Sequence, residues 1–207
     1  MLRRFLLVGL MLGVAFHAYQ SEAVVSNGVA KSTELNQARL LVQELTEKAL
    51  NVVNRAEITS KGVQKEFVSL INDYFAVEGI LRFVVGRANY EKVSDKQGFL
   101  QYFCEQLANT YSSSFRDFKN AKVEITKFVK LGKRQILVTV KISVRGKPDI
   151  IVVFSVFSTK SGLKIYDAMV DNVSISQVLK DSQSKKILQD FNAKSASSNI
   201  KKKLIKE

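Results

Sequence analysis

The sequence has little of the chemistry on which most enzymes and metal sites depend. Its 207 residues include one histidine, one cysteine, one proline and no tryptophan. The histidine, His17, lies in an N-terminal leader, so the rest of the chain has no imidazole. This excludes Ser-His-Asp and Cys-His arrangements and the usual zinc sites from the mature chain. A glycine-rich phosphate loop is also absent, and we expect no cofactor.

The single cysteine, Cys104, has no second cysteine with which to form an intramolecular disulfide. Its neighbours Tyr102 and Phe103 indicate a buried helix face, where a thiol packs as a small apolar group. We therefore expect Cys104 to be a core residue and not a reactive thiol.

The first 23 residues predict a signal peptide. Arg3 and Arg4 precede an apolar run at residues 5–16. Ser21 and Ala23 are small residues at the two positions that a signal peptidase recognises. The apolar run is short for a membrane span, and cleavage after residue 26 is the alternative to cleavage after Ala23. We predict an exported protein that begins with a flexible leader at residues 24–31.

Positive charge is in excess and is unevenly distributed. The formal net charge is +13 for the whole chain and +12 without the predicted signal peptide, and +5 of this charge lies in residues 185–207. Such a balance fits acidic proteins or anionic lipid headgroups, and nucleic acid is the weakest candidate for an exported protein. Scattered lysines are, however, most often a solvated surface. Residues 192–207 predict a basic, disordered tail.

Residues 122–176 predict an antiparallel sheet. In the stretch 135–144 every second residue is apolar, which is typical of a strand with one buried face. These residues are Ile136, Val138, Val140, Ile142 and Val144. Three further strands are predicted at residues 123–129, 150–157 and 163–170, and short links between them favour a meander. The run at 150–157 is apolar on both faces. Either other elements cover both faces, or they cover one face and the other lines a cavity.

Helical patterns precede and follow this sheet. Apolar residues recur at helical spacing in five stretches, at residues 35–52, 67–75, 80–85, 99–118 and 175–191. Gly86 is predicted to end the third helix, and Ser94 with Gln97 predicts a capping box at the start of the fourth. The expected fold is α+β, with a four-stranded meander covered by N-terminal helices and one C-terminal helix.

Three features of the sequence occur together in a fixed order. They are the predicted signal peptide, the segment from Phe83 to Phe103 with its Gly86-Arg87 pair, and the run from Tyr166 to Ser174 after the meander. In this combination the chain resembles the MlaC family, also called the toluene-tolerance family, of periplasmic phospholipid carriers. None of these motifs is catalytic, and no enzyme activity is expected.

The resemblance implies a curved four-stranded sheet and helices that enclose an apolar cavity for the acyl chains of a phospholipid. Residues 32–191 would form this lipid-binding domain. The resemblance also implies transport through the periplasm between an inner-membrane ABC transporter with an MCE-domain subunit and an outer-membrane lipoprotein complex. Such transport maintains the lipid asymmetry of the outer membrane.

Candidate cavity residues are apolar and come from both helices and strands. They are Phe75, Leu81, Val84, Val85, Phe99, Phe103, Leu107, Val138, Val140, Ile142, Val153 and Tyr166. Each of them is at least as readily explained as ordinary core. Two alternatives remain open: a curved-sheet enzyme for a small hydrophobic substrate that uses Tyr166, Asp167 or Tyr111, and a periplasmic adaptor with a filled core and a basic docking tail.

Overall fold

The computed structural model describes residues 28–55 and 60–204. The predicted signal peptide at residues 1–23 lies outside the described residues, as does the first part of the predicted leader. The described helices are α1 (Gly28–Asn54), α2 (Ser60–Tyr74), α3 (Val77–Val85), α4 (Arg87–Glu91), α5 (Lys96–Phe115) and α6 (Ile175–Leu204). The strands are β1 (Lys122–Leu131), β2 (Gln135–Ser143), β3 (Ile150–Thr159), β4 (Gly162–Val170) and β5 (Val173–Ser174).

The strands form one antiparallel meander in chain order, which confirms the predicted topology. The predicted number of four strands is wrong, because β5 adds a short fifth strand beside β4. Asp171 and Asn172 have φ of 49° and 67°, and two consecutive positive φ values make a tight hairpin turn. Asp and Asn tolerate this conformation, so the chain returns on β4 at once.

Two strands contain an extra residue that has no partner on the neighbouring strand. In β1 the register with β2 shifts between Ile125 and Lys127. Between β3 and β4, Ser155 of β3 pairs with Asp167 of β4, whereas the next residue, Val156, pairs with Ile165. The unpaired residue in β4 is therefore Tyr166. Such bulges bend a strand and increase its local twist.

The centre of one face of the sheet, here called the first face, is fully buried. Ile136, Val138 and Val140 of β2, Val156 of β3 and Ile165 of β4 all have 0% exposure. Helix α1 lies across this face, and α2 completes the same hydrophobic core. We call this cluster the sheet core.

The chain crosses the free edge of β4 between α2 and α3. Phe75 pairs with Ile165 in an isolated parallel bridge, and the Ala76 amide donates a hydrogen bond of 2.8 Å to the Ile165 carbonyl. Beyond this crossing, α3, α4, α6 and the first half of α5 pack into a second cluster, which we call the helical core. Its centre is aromatic, with the Phe99 and Phe191 rings 4.7 Å apart.

Two helix ends differ from their predicted positions. Helix α1 begins at Gly28, within the predicted flexible leader. Helix α6 continues to Leu204, so the described part of the predicted disordered tail is helical. No proline or glycine interrupts residues 192–204, and a helix that is already anchored propagates easily through such a sequence.

The predicted capping box at Ser94 is replaced by a cap one residue later. The Gly98 amide donates a hydrogen bond of 2.8 Å to Asp95 Oδ1, which makes Asp95 the N-cap of α5. A Cβ on residue 98 would lie 2.1 Å from Asp95 Oδ2, so the absence of a side chain there leaves room for the carboxylate. At the end of α3 the prediction is confirmed, since Gly86 follows its last residue with a φ of 83°.

Candidate functional site

The opposite side of the sheet, here called the second face, is apolar along β3 and is only partly covered. Strand alternation places Leu137 and Thr139 of β2 on this face, together with Val153 and Phe157 of β3. These four side chains are partly buried, and Ile151 at the start of β3 is 38% exposed. On this side helices α3 and α6 pack mainly against β4 and β5. Leu137 of β2 and the apolar residues of β3 therefore keep part of their surface accessible.

Tyr166 joins the second face to the helical core. Its ring lies 5.1 Å from the ring of Phe157, centroid to centroid, at an angle of 60°. On its other side the ring lies against Gly79 of α3, where an added Cβ would come within 2.7 Å of Tyr166 Cε1. Because the bulge makes Tyr166 unpaired in β4, its ring is free to reach α3. The bulge and the glycine together set the distance between α3 and the sheet.

Asp167, the next residue, attaches α6 to the same strand. Its Oδ2 accepts a hydrogen bond of 2.6 Å from the Ser174 hydroxyl, and its Oδ1 accepts one of 3.0 Å from the Ser176 amide. A carboxylate at the first amides of a helix satisfies their unpaired donors and interacts favourably with the helix dipole. Both carboxylate oxygens of Asp167 thus have a structural role.

The groups considered for the enzyme alternative do not form a recognisable acid and base pair. Asp167 is engaged by α6, and Tyr166 packs through its ring. Burial raises the pKa of Tyr111 on α5, which keeps that phenol protonated at neutral pH. Within residues 28–55 and 60–204, no group of three or more His, Cys, Asp or Glu side chains could hold a metal ion.

The structure divides the twelve predicted cavity residues among three places. Val138, Val140 and Ile142 belong to the sheet core on the first face. Val153 and Tyr166 lie on the second face. The helical core contains Leu81, Val84, Val85, Phe99, Phe103 and Leu107, while Phe75 contacts both cores. In this structure the predicted residues are therefore spread over both cores and the second face.

Two grooves of the described surface have linings that include none of the twelve residues. One, of about 620 Å³, lies between the α4–α5 connection, α5 and α6, and its walls are largely polar. The other, of about 590 Å³, lies between α2 and α5 and includes Lys61 and Lys65. The predicted enclosed apolar cavity stays a prediction.

The sequence analysis missed Leu137, Phe157 and Met169 as second-face neighbours of Val153 and Tyr166. Val153 pairs with Met169 across the β3–β4 ladder, and Phe157 contacts the Tyr166 ring. The signal for them was present in β3, whose sequence is apolar on both faces.

Every helix in the described part of the chain is too short or too polar to cross a membrane.

The fold is similar to that of a solved structure described as a phospholipid-binding protein from Ralstonia solanacearum in complex with a phospholipid. The two chains are 17% identical, with a TM-score of 0.62, and the similarity covers 77% of this chain and 97% of that chain. At this level of identity the likeness concerns the fold alone. A search of curated protein sequences finds no match.

A family model described as MlaC protein matches residues 43–202. The match runs from the middle of α1 through the meander to the last turn of α6, and it covers well over half of the chain. It confirms the resemblance drawn from the sequence motifs. The chain belongs to the MlaC family.

Proposed function

We propose that this protein is a soluble periplasmic phospholipid carrier and that the acyl chains bind against the second face of the sheet. Membership of the MlaC family supports this function, as does the phospholipid in the R. solanacearum protein of the same fold. The observation that carries the proposed position is the accessibility of an apolar strand surface that α3 and α6 leave uncovered. On the first face, by contrast, α1 already occupies the equivalent space.

Hydrophobic transfer alone supplies the affinity that a carrier needs. Each methylene group removed from water contributes about 0.8 kcal/mol, so two acyl chains bind tightly without polar recognition. Leu137, Val153, Phe157 and Met169 offer such an apolar surface. Because the contacts are non-directional, release depends on opening the site or on a partner that offers an equally apolar path.

The predicted cavity residues have unequal roles in this proposal. Val153 and Tyr166 contact the lipid directly, and Phe75 lies where the sheet core and the helical core meet. The helical-core residues reach the lipid only if α3 and α6 move away from β4. Val138, Val140 and Ile142 are separated from the second face by the strand itself, so they remain candidates only for a site opened beneath α1.

The test is to compare two valines that differ in the face they occupy. Val153→Glu places a charge on the proposed binding surface, whereas Val173→Glu makes the same change at a valine that is 53% exposed in β5. We expect purified V153E to be folded and to carry no phospholipid on extraction and mass spectrometry. V173E should retain lipid. Unchanged lipid content in folded V153E would reject the second face as the site.

The transport route is a further part of the proposal. We infer that the protein exchanges lipid with an inner-membrane ABC transporter through its MCE-domain subunit and with an outer-membrane lipoprotein complex. Reconstitution of each complex in separate nanodiscs with labelled phospholipid tests this route. Transfer that requires the protein and both complexes supports it, and transfer that proceeds equally without either complex contradicts it.

Export is tested by N-terminal sequencing of the protein from the periplasmic fraction. The proposed signal peptide predicts a mature chain that begins at Val24. A chain that begins at residue 27 would favour the alternative cleavage site, and retention of Met1 in the cytoplasm would reject periplasmic function.

The adaptor alternative is favoured by one observation, namely that the sheet core and the helical core both contain side chains with no exposed surface. A protein of this kind would carry no lipid in any preparation. Lipid extraction from the wild-type protein therefore separates the two functions directly.

A further inference from the structure

The two ends of the β-meander differ in their charge. In an antiparallel meander the β1–β2 and β3–β4 turns lie at the same end, and here the Ser158 amide donates a hydrogen bond of 3.1 Å to the Arg134 carbonyl between them. We call residues 131–134 and 159–162 the turn end. Gly132 and Gly162 have φ of 62° and 104°, so both turns are tight connections.

The turn end carries positive charge that no acidic side chain neutralises. Lys133, Arg134 and Lys160 are exposed and form no ion pair with any residue of the described chain. The turns themselves contain no acidic residue. The acidic side chain of Glu34, which lies nearby on α1, is occupied by an ion pair with Lys130.

A second acidic residue near this end, Asp73, forms no ion pair with the turn-end cations in the described chain. Its carbonyl accepts a hydrogen bond from Lys164, and its carboxylate accepts one from Ser69. Beside the three free cations, Leu131 projects at the tip of β1 with 47% of its surface exposed. The turn end thus combines three unpaired cations with one exposed leucine.

The opposite end of the sheet has basic residues as well, but acidic residues lie among them. Lys147 forms an ion pair of 3.5 Å with Asp117, and Asp149 follows it in the same connection. Asp171 lies at this end too, where its amide donates to the Ile151 carbonyl at the start of β3. Acidic residues therefore offset most of the basic charge at the opposite end, whereas the turn end has none.

We propose that the turn end docks on a membrane surface that contains anionic phospholipids. Clustered cations are attracted to an anionic leaflet, and an exposed leucine among them can enter the interface between headgroups and acyl chains. Leu131 is the last residue of β1 before the hairpin turn, and an exposed apolar side chain among cations suits an anionic lipid surface.

This inference rests on the proposed carrier function, because docking places the membrane beside the second face. Phe157, which contacts the Tyr166 ring, pairs across the ladder with Gln135, the residue that follows Arg134. A lipid that leaves the membrane at the turn end would thus meet the apolar second face within two residues of the docked surface.

The experiment measures sedimentation of the full mature chain with two kinds of vesicle, phosphatidylcholine alone and phosphatidylcholine with phosphatidylglycerol. We expect binding only to the anionic vesicles, with an affinity that falls as salt is added. In K133Q/R134Q/K160Q the partition coefficient should fall about a hundredfold, since each cation near an anionic surface contributes about fivefold. Leu131→Ser should lower it several-fold, and Val173→Ser should not.

The matched control is K119Q/K122Q/R145Q, which removes the same net charge from exposed residues at the opposite end. We expect this variant to bind anionic vesicles nearly as well as the wild type. Equal losses in the two triple variants would overturn the inference, because the attraction would then be a general effect of net charge. Wild-type protein that ignores anionic vesicles but binds an acidic protein or a nucleic acid would overturn it too.

Lipid extraction from the same preparations separates this inference from the proposed function. A turn-end variant that retains bound phospholipid but no longer sediments with vesicles supports both. Absence of phospholipid from every preparation, with vesicle binding intact, would reject the carrier function and leave the docking surface standing. Retention of phospholipid with no vesicle binding by the wild type would reject the docking surface alone.

Discussion

The two faces of the sheet share the doubly apolar strand β3 but have different environments. On the first face Ile136, Val138 and Val140 have no exposed surface, whereas on the second face Ile151 is 38% exposed and Val153 is partly buried. The difference comes from the connection between α2 and α3. Because the chain crosses the edge of β4 at Phe75, the helices that follow it cover β4 and leave β2 and β3 open.

This comparison shows that strand composition does not determine which face is filled. β3 is apolar on both sides, yet Val156 on the side of the sheet core has no exposed surface, whereas Ile151 on the other side is 38% exposed. In an MlaC-family protein the open side is the one that can still gain apolar contacts from a ligand. The polar residue of β3 on this side, Ser155, is buried, and its hydroxyl accepts a hydrogen bond from Gln135. The following predictions test the contrast between the two faces.

The largest expected effect is the cost of placing the same charge on the two faces. Val140→Glu puts a carboxylate where no surface is exposed, and we expect the free energy of unfolding to fall by about 4 kcal/mol or more. Val153→Glu should cost about 1 kcal/mol, because water can reach its carboxylate. Urea denaturation of protein freed of lipid measures both values. Similar losses would mean that the second face is as closed as the first.

A smaller effect is expected where α3 approaches the second face. Gly79→Ala introduces a Cβ that would lie 2.7 Å from Tyr166 Cε1, so the ring or the helix must move. We expect a loss of about 1–3 kcal/mol in the free energy of unfolding, as for other overpacked sites.

Removal of the tyrosine ring should reverse the effect of Gly79→Ala on the free energy of unfolding. In a Tyr166→Ala background, Gly79→Ala should stabilise the protein by about 0.5–1 kcal/mol, because alanine is the better helix former. The double-mutant cycle isolates the contact between the two residues. If Gly79→Ala has the same effect in both backgrounds, the glycine does not control the approach of α3.

The attachment of α6 to the second face should contribute slightly less to the free energy of unfolding. Asp167→Ala removes the carboxylate that accepts from Ser174 and Ser176, and the loss of such a cap costs about 1–2 kcal/mol. Asp149→Ala, at an exposed connection, is the control and should have almost no effect. Hydrogen exchange should accelerate in the first turn of α6 only in the Asp167 variant. Unaltered exchange there would show that α6 is held by its apolar contacts alone.

The features predicted correctly from sequence are those in which local pattern and tertiary environment agree. The alternation in β2 identified the side chains that are now found on one face, and Gly86 ends α3 where a positive φ is required. The meander followed from short links between strands. These features depend on residues close together in the chain, so the sequence contains the information directly.

The remaining features depend on contacts between distant segments. Tyr166 has the pattern of an ordinary strand residue, and only the pairing of β3 with β4 makes it a bulge that reaches Gly79. α2 and α3 both have apolar helical faces, and nothing in either pattern indicates that they lie on opposite sides of the sheet. The predicted site therefore combined residues from both faces, because alternation groups residues by face without identifying the helix that covers each one.

The smallest expected effect concerns the boundary between the two cores, where Cys104 of α5 has no exposed surface. Its Sγ lies 3.3 Å from Asn72 Oδ1 of α2, and burial raises the pKa of the thiol to about 11. At pH 8 only about one thiol in a thousand would be ionised, and the thiolate is the reactive form. We expect almost no reaction with a disulfide reagent in the native protein and complete reaction in denaturant. Because Cys104 becomes accessible only if α5 separates from α2, addition of anionic vesicles should leave its rate unchanged if lipid enters over the second face. A faster reaction would mean instead that lipid exchange opens the sheet core.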